Sequence, residues 1–324
     1  MPQIIELPVR NGSQTCDMFV EQVYDFDPEF HHLEGDRTMH GIKKVAIIGS
    51  GQMGGGIAQI SAVNGFETVV YDLNSDALTR CSGFHDKLLA RAVEKGRMSD
   101  EDVAGTKSRL IYASEMDAMF DADIVIEAVV EDAEIKKSIF SGLADKFTDN
   151  QILASNTSSI SITDLATSVG GSADRFIGMH FFNPVPVMKL VEVINGLATS
   201  QETTKRTIAF AEAMGKVAVP ANDRAGFVSN RILMPMINEA FYAWMEGVAE
   251  PADIDEIMKL GMAHPMGPLR LADFIGLDTC VNIMDVLADG LNNDRYRACP
   301  LLKQLVVAGR LGNKTKHGVF DYSK

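Results

Sequence analysis

The sequence is short of cysteine, of basic residues and of long apolar stretches, and each shortage excludes a class of protein. Its four cysteines (Cys16, Cys81, Cys280 and Cys299) lie far apart without a C-x-x-C pair, so neither a zinc site nor a disulfide framework is predicted. Lysine and arginine total 30 against 44 acidic residues, which gives a net charge of -14. Such an acidic surface repels phosphate backbones and anionic lipids, and this excludes nucleic acid and membrane surfaces as general partners. No apolar run approaches the 18 or so residues that a membrane span needs.

Residues 1–40 lack sustained hydrophobic periodicity and are mostly acidic where they are charged. A secretory signal needs an apolar core and a transit peptide is rich in arginine, and this segment has neither property. We expect an extension of uncertain order, and the cytoplasm as the default compartment. His31, His32 and His40 lie in this extension without a predicted fold to bring them together, so no metal site is expected.

Strand and helix patterns alternate between residues 41 and 221. Short apolar runs at 45–48, 68–71, 124–126, 152–154 and 176–179 are separated by helical segments, of which the first covers residues 53–64. Apolar strands that alternate with helices are typical of a parallel sheet covered on both faces. The pattern predicts an α/β fold, a Rossmann-type doubly wound sheet.

A Pro- and Gly-containing linker is predicted at residues 219–226, and helical patterns alone follow it. They cover residues 232–244 with a kink at Pro235, then residues 253–262, 271–291 and 300–311. Runs of helices after alternating strands and helices indicate a separate domain. We therefore predict an all-helical C-terminal domain over residues 222–324. Its apolar, methionine-rich helix faces predict a homodimer formed through this domain.

Three glycines lie between the first predicted strand and the first predicted helix. Gly49, Gly51 and Gly54 form the pattern G-x-G-x-x-G, with Gln52 and Met53 before the third glycine. In this position the pattern is a fingerprint for dinucleotide binding, because it places the pyrophosphate at a helix N-terminus. It also explains how an acidic protein can hold a dianion without a basic patch. The sequence therefore predicts a cofactor site.

Asp72 ends the second predicted strand. A carboxylate at this place accepts hydrogen bonds from the ribose hydroxyls of NAD and repels the additional phosphate of NADP. The alternative is that Asp72 caps a turn before Asn74 and Ser75. We predict NAD as the cofactor.

His180 and Glu192 lie at equal distances on either side of Pro186, within a segment whose Asn-Pro-Val-Pro sequence indicates a turn. If the chain folds back at this turn, the imidazole meets the carboxylate across two antiparallel strands. Glu192 lies in an otherwise apolar strand, where an unpaired carboxylate would be costly. The pair predicts an acid–base dyad, although a lone histidine is more often structural.

Two further polar positions have both a structural and a functional interpretation. Ser158 lies in a hydroxyl-rich loop, residues 155–159, that follows a predicted strand. Asn230 lies at the start of the first long helix of the second domain. Either residue can cap a helix, and either can contact a substrate between the domains.

Taken together, five motifs resemble the L-3-hydroxyacyl-CoA dehydrogenase family. They lie at residues 49–59, 155–159, 180–184, 226–231 and 264–268, and the similarity extends over residues 42–324. It is closest to the short-chain members of the family, the 3-hydroxybutyryl-CoA dehydrogenases. The resemblance implies a Rossmann domain, a helical dimerising domain, and reversible oxidation of a 3-hydroxyacyl-CoA by NAD.

The resemblance also implies roles for individual residues. It makes His180 the catalytic histidine and Glu192 the acid that orients it, with Ser158 and Asn230 as catalytic contacts to the substrate. Cofactor contacts follow at Glu131, Lys136, Asn156 and Lys314.

A CoA contact is implied at Lys95. Leu88 replaces a serine that contacts CoA in the human-type enzymes, and Val228–Ser229 departs from a more usual apolar pair.

Three functions are consistent with these observations. The first is a short-chain 3-hydroxyacyl-CoA dehydrogenase that uses NAD, with 3-hydroxybutyryl-CoA and acetoacetyl-CoA as its pair of substrates. The second is an NAD-dependent dehydrogenase of a small hydroxy acid or sugar acid on the same fold. The third is a dinucleotide-binding protein without turnover. Intact His180, Glu192, Ser158 and Asn230 favour the first.

Overall fold

The computed structural model describes residues 41–323, apart from residues 147 and 149. The predictions made for residues 1–40, including the three histidines and Cys16, lie outside the described residues. The first domain is built on one eight-stranded sheet with the spatial order β3-β2-β1-β4-β5-β6-β7-β8. Its strands are β1 (Lys44–Ile48), β2 (Glu67–Tyr71), β3 (Leu110–Ala113), β4 (Ile124–Glu127), β5 (Ile152–Ser155), β6 (Phe176–Phe181), β7 (Leu190–Asn195) and β8 (Val217–Asn222).

Strands β1 to β6 are parallel and have the doubly wound order 3-2-1-4-5-6. Strand β7 runs antiparallel to β6, and β8 runs parallel to β7. The predicted fold class is confirmed. The carboxyl ends of β1, β4, β5 and β6 meet at one edge of the sheet, which is where ligands bind in such folds.

Helices cover both faces of the sheet. The side chains of β1 alternate: Val45 and Ile47 pack into one core cluster, whereas Ala46 and Ile48 pack into another. This alternation follows from the two-residue period of a strand. The helices of this domain are α1 (Gln52–Val63), α2 (Ser75–Glu94), α3 (Asp100–Arg109), α4 (Ala133–Ala144), α5 (Ile162–Ala166) and α6 (Gln201–Ala213).

Strand β8 corrects one prediction, because much of the expected linker is the last strand of the sheet. Pro220 lies within it and pairs in register with Val193 of β7. A proline is tolerated in an edge strand, since one side of that strand needs no donor. Turn residues in the sequence therefore concealed an edge strand.

The second domain packs five helices around their own apolar cluster. They are α7 (Ser229–Met245), α8 (Pro251–Gly261), α9 (Pro268–Ile275), α10 (Leu277–Gly290) and α11 (Pro300–Val307), and Pro235 lies inside α7. The predicted helix over residues 271–291 is wrong, because α9 and α10 are separate. Gly276 divides them with a φ of 104°, a conformation that side chains disfavour. Among the described residues, no helix is long and apolar enough to cross a membrane.

Candidate active site

His180 and Glu192 meet across β6 and β7. The two residues are register partners in the antiparallel pair, and His180 Nδ1 lies 2.7 Å from Glu192 Oε2. Both side chains are almost fully buried, at 7% and 4% exposure. An ionised carboxylate can only accept, so Nδ1 carries the hydrogen and Nε2 is left for a ligand. The chain folds back at Pro186 as predicted, and this turn brings His180 and Glu192 together.

Glu192 has a second set of donors from the helical domain. The backbone N–H of Ser229 donates to Oε1 at 3.0 Å, and its hydroxyl donates to Oε2 at 2.7 Å. Burial pushes the pKa of Glu192 upward, but the bonds from His180 and Ser229 outweigh burial and hold this pKa below its usual value. The carboxylate is therefore ionised at neutral pH.

The loop formed by residues 155–159 lies beside the dyad. Asn156 Oδ1 accepts a hydrogen bond from Phe181 N at 2.9 Å, which joins the loop to the strand of His180. Glu131 Oε1 accepts from the backbone and the hydroxyl of Ser158 at 2.8 and 3.2 Å, and Thr157 and Ser159 also donate to it. Glu131 thus holds the hydroxyl-rich loop in place.

Asn230 lies in the first turn of α7, yet it does not cap that helix. Its Nδ2 donates to the carbonyl oxygen of Ser158 at 3.0 Å, across the boundary between the domains. Asn230 is therefore not a helix cap, which is the alternative considered from the sequence. The amide lies beside Ser158, as a contact to a shared substrate would require.

The glycine turn fits a dinucleotide. A Cβ at Gly54 would lie 1.9 Å from Gly49 O, so the turn closes only with glycine there. A Cβ at Gly51 would meet nothing within 4 Å, which leaves room for a phosphate at the N-terminus of α1. Gln52 Nε2 donates to Asn183 Oδ1 at 3.0 Å and joins this turn to the loop that follows His180.

Asp72 combines both of its predicted roles. Its Oδ1 accepts from Asn74 N at 2.9 Å, as a turn cap does. Its Oδ2 accepts from the N–H and the hydroxyl of Ser50 at 2.8 and 2.7 Å, so the carboxylate lies next to the glycine turn. Leu73, Asn74 and Ser75 follow it without a cation. These surroundings fit NAD.

Family models match nearly all of the described chain. Residues 44–224 match the model described as 3-hydroxyacyl-CoA dehydrogenase, NAD binding domain, and residues 226–322 match that of the C-terminal domain. The chain belongs to the 3-hydroxyacyl-CoA dehydrogenase family. The predicted family, its enzyme class and NAD as cofactor are thereby confirmed.

Individual members of the 3-hydroxyacyl-CoA dehydrogenase family match over all or nearly all of their lengths. The chain is 53% identical over 281 residues to a probable 3-hydroxybutyryl-CoA dehydrogenase of Deinococcus radiodurans, covering 86% of this chain and 100% of that one. It is 48% identical over 281 residues to the 3-hydroxybutyryl-CoA dehydrogenase of Bradyrhizobium diazoefficiens, covering 87% and 96%. The crystal structure of the (S)-3-hydroxybutyryl-CoA dehydrogenase of Ralstonia eutropha superposes with a TM-score of 0.85 at 46% identity, covering 87% and 100%.

In this 3-hydroxyacyl-CoA dehydrogenase, Lys136 is not placed as a direct contact to the cofactor would require. It is 1% exposed, and its ammonium lies 2.6 Å from Glu127 Oε1 and 3.4 Å from Glu131 Oε2. Glu127 is fully buried and also accepts from Ser155 Oγ at 2.7 Å. Lys136 therefore supports Glu131 and its loop from behind. Glu127 was missed, although a carboxylate that ends an apolar strand was a usable signal.

Lys314 and Lys95 lie away from the contacts that join the dyad, the loop and the glycine turn. Lys314 Nζ lies 2.5 Å from Asp278, at the start of α10. Lys95 lies at the end of α2 and lines a surface groove together with Leu88.

Lys216 is a further residue that sequence reasoning missed. It is 8% exposed, and its ammonium donates to the carbonyls of Val185 and Met188, in the loop between His180 and Glu192. Burial lowers the pKa of Lys216 to about 8. Lys216 thus holds the turn that brings the two dyad residues together. A lysine in a glycine-flanked surface segment carried no signal for this role.

Proposed function

We propose that this 3-hydroxyacyl-CoA dehydrogenase oxidises short-chain 3-hydroxyacyl-CoA esters reversibly, with His180 as its general acid–base. The observation that carries the proposal is the buried bond of 2.7 Å between His180 and Glu192, next to a glycine turn at the same edge of the sheet. A histidine whose tautomer is fixed by a carboxylate is suited to proton transfer near neutral pH.

Each residue of the site has a separate role in the reaction. NAD held at the glycine turn and Asp72 would supply the hydride acceptor for C3 of the alcohol, and NADH would supply the hydride in the reverse direction. In oxidation, neutral His180 takes the hydroxyl proton through Nε2, and Glu192 stabilises the imidazolium. In reduction, protonated His180 gives this proton to the ketone oxygen. The Ser158 hydroxyl and the Asn230 amide orient the oxygens of the substrate.

Cofactor contacts are proposed in two groups. Direct contacts are assigned to the glycine turn (Gly49, Gly51, Gln52, Met53 and Gly54), to Asp72 and to Glu131. Asn156, Lys136 and Lys314 are assigned supporting roles: Asn156 bonds to Phe181 N, Lys136 is buried against Glu127, and Lys314 lies beside Asp278 at the start of α10. Asp72 favours NADH over NADPH by accepting from the ribose hydroxyls.

The surface groove between α1, α2 and the loop after His180 supports an acyl-CoA substrate. Its lining includes the cationic residues Arg91, Lys95 and Arg97, and also Leu88 and Pro186. Three cations on a chain of net charge -14 favour an anionic ligand at this place. The groove begins beside the loop that follows His180. A long thioester substrate requires a binding surface that continues from the reacting centre in this way. We assign Lys95 to the phosphate-bearing end.

The test is a comparison of acetoacetyl-CoA with free acetoacetate, following NADH oxidation. We expect turnover with the thioester and little with the free acid. Turnover with the free acid alone would indicate a small hydroxy-acid dehydrogenase. NADH binding without turnover of either compound would indicate a non-catalytic protein.

A homodimer through the helical domain is also proposed. Val248, Ile257, Leu260 and Met262 are between 60% and 78% exposed, and a cluster of exposed apolar residues usually marks an interface. Light scattering should give about twice the chain mass of 35.3 kDa. A monomer at micromolar concentration would contradict this proposal. The cytoplasm stays a prediction, which cell fractionation can test.

A further inference from the structure

Ser229 directs both of its donors at one carboxylate. It is the first residue of α7. Its backbone N–H has no acceptor within the helix, because the amides of the first turn lack the preceding turn to which they would donate. That N–H donates to Glu192 Oε1 at 3.0 Å, and the hydroxyl donates to Oε2 at 2.7 Å. The side chain is partly exposed, so its position is not dictated by core packing.

The hydroxyl of Ser229 shares its acceptor with the catalytic histidine. Glu192 Oε2 accepts from Ser229 Oγ and from His180 Nδ1 at the same distance, 2.7 Å. A donor that bonds to a carboxylate takes up part of its negative charge. The charge that Ser229 takes up no longer stabilises the imidazolium on the other side.

We propose that Ser229 is a positioning residue that sets, through Glu192, the pH at which His180 gains and loses its catalytic proton. The inference rests on the proposed role of the dyad. Without the hydroxyl, Glu192 would hold the imidazolium more strongly. With it, His180 releases its proton at a lower pH and serves both directions of the reaction.

Two charged groups near β7 have contacts elsewhere. Asp223, after β8, accepts from Ser161 Oγ and Thr163 N, and Arg231 of α7 lies over the ring of Tyr296. On β8, the register partner of Glu192 is the apolar Val219.

Helix α6 packs on β7 and has four charged residues. Arg206 donates to Asn150 O, while the other three, Glu202, Lys205 and Glu212, are exposed. In the described part of the chain, His180 and Ser229 are thus the residues that donate hydrogen bonds to the Glu192 carboxylate.

The experiment compares S229A and S229V, which lose the hydroxyl but keep the N–H, with S229T, which keeps both. The rate of acetoacetyl-CoA reduction is recorded against pH, together with the reverse oxidation. We expect both midpoints to move upward by roughly 0.5–1 pH unit in S229A and S229V, and to return in S229T, because one donor to a charged group is lost. A merely structural role would lower turnover at every pH without moving the midpoints.

S161A is the matched control, since it removes another serine hydroxyl bonded to a carboxylate at 2.7 Å, away from the dyad. Its midpoints should equal those of the wild type. The second measurement is a titration of the His180 ring by ¹⁵N NMR without substrate, with its signal assigned by its loss in H180Q.

Each result decides a separate question. An upward shift of the NMR midpoint in S229A and S229V supports the role of Ser229, even if the wild type proves inactive on acetoacetyl-CoA and the proposed function fails. Unmoved midpoints in both variants, or an equal shift in S161A, would overturn it. If S229A does not fold, the same comparison is made between S229V and S229T.

Discussion

Two carboxylates lie buried near the same edge of the sheet, and their partners separate a structural site from a chemical one. Glu127 on β4 is bonded to the ammonium of Lys136, whereas Glu192 on β7 is bonded to the imidazole of His180. Their exposures are 0% and 4%. Burial therefore does not distinguish them. The first faces a lysine ammonium, whereas the second faces a histidine, the type of side chain that is used for proton transfer.

This difference shows what a buried carboxylate needs in order to take part in catalysis. The pair of Glu127 and Lys136 is a fixed part of the framework, and it supports Glu131 and the loop at residues 155–159. The pair of Glu192 and His180 is also supported, by Ser229, but its charge can change. Substitutions at the two carboxylates should therefore affect different properties.

The largest effect is expected from Glu192→Gln. Removing the charge withdraws general acid–base catalysis, so turnover should fall by about 10²–10⁴-fold. NADH binding should be kept, because the cofactor contacts lie at the glycine turn and Asp72. The measurements are steady-state rates and NADH fluorescence titration. Glu67→Gln, at an exposed position on β2, is the control with near-normal rates. Near-normal turnover in Glu192→Gln would remove Glu192 from the dyad.

Glu127→Gln should act on stability. It removes the nearer carboxylate partner of the buried Lys136 and leaves Glu131 at 3.4 Å. A fully uncompensated buried charge costs about 3–5 kcal/mol in the free energy of unfolding, and the remaining pair with Glu131 should keep the loss at or below about 3 kcal/mol. Urea denaturation measures this loss. The double variant Glu127→Gln with Lys136→Met should recover most of it, since it leaves neither of the two buried charges without its partner. A single variant as stable as the wild type would show that the Glu127–Lys136 pair is not needed for the stability of the framework.

Asp72 extends the comparison to a carboxylate that bonds to backbone and hydroxyl donors. Asp72→Ala should weaken NADH binding by roughly 10–100-fold, the range for one or two hydrogen bonds to a charged group. NADPH binding should change less, so the preference narrows. Fluorescence titrations with both cofactors test this. A wild-type enzyme with higher catalytic efficiency on NADPH would contradict the assignment.

The smallest effect is expected in the acid stability of Glu131→Gln. Burial raises the pKa of Glu131, but Lys136 and the hydroxyl and amide donors of the loop outweigh burial and hold this pKa below 4.5. The unfolded state therefore binds the proton first as pH falls. The stability contributed by Glu131 is complete above about pH 5 and is lost as pH drops through the lower folded value.

Glu131→Gln should thus flatten the fall in unfolding free energy as the pH drops below about 5. Urea denaturation at several pH values measures this slope. The Glu67→Gln control should retain the slope of the wild type. An unchanged slope in Glu131→Gln would show that Glu131 is not held ionised by its partners.

The parts of the site that depend on local patterns could be predicted. The glycine turn follows from spacing, because strand, turn and helix are contiguous in the chain. The meeting of His180 and Glu192 follows from the turn at Pro186. Both arguments connect residues that lie close together in the sequence, and both agree with the geometry.

What could not be predicted depends on contacts between distant segments. The apolar period runs without interruption through Gly276, yet the chain bends there beside Lys314, which lies 3.2 Å from where a Cβ of Gly276 would be. Ser229 lies far from Glu192 in sequence, and a serine at a helix start has an ordinary interpretation as a cap. The acceptor of its hydroxyl lies on the other domain, so it can be identified only from the structure in which the two domains are in contact.

The contacts of Ser229 and Asn230 have a consequence for the modularity of the protein. Each crosses from the helical domain to the sheet domain, to Glu192 and to Ser158. The family models divide the chain at residue 225, but the reacting centre belongs to both sides of that division. A chimera that joins the two halves of different homologues would have to re-establish these two bonds before it could be active. Each half has apolar clusters of its own, but activity depends on both halves together.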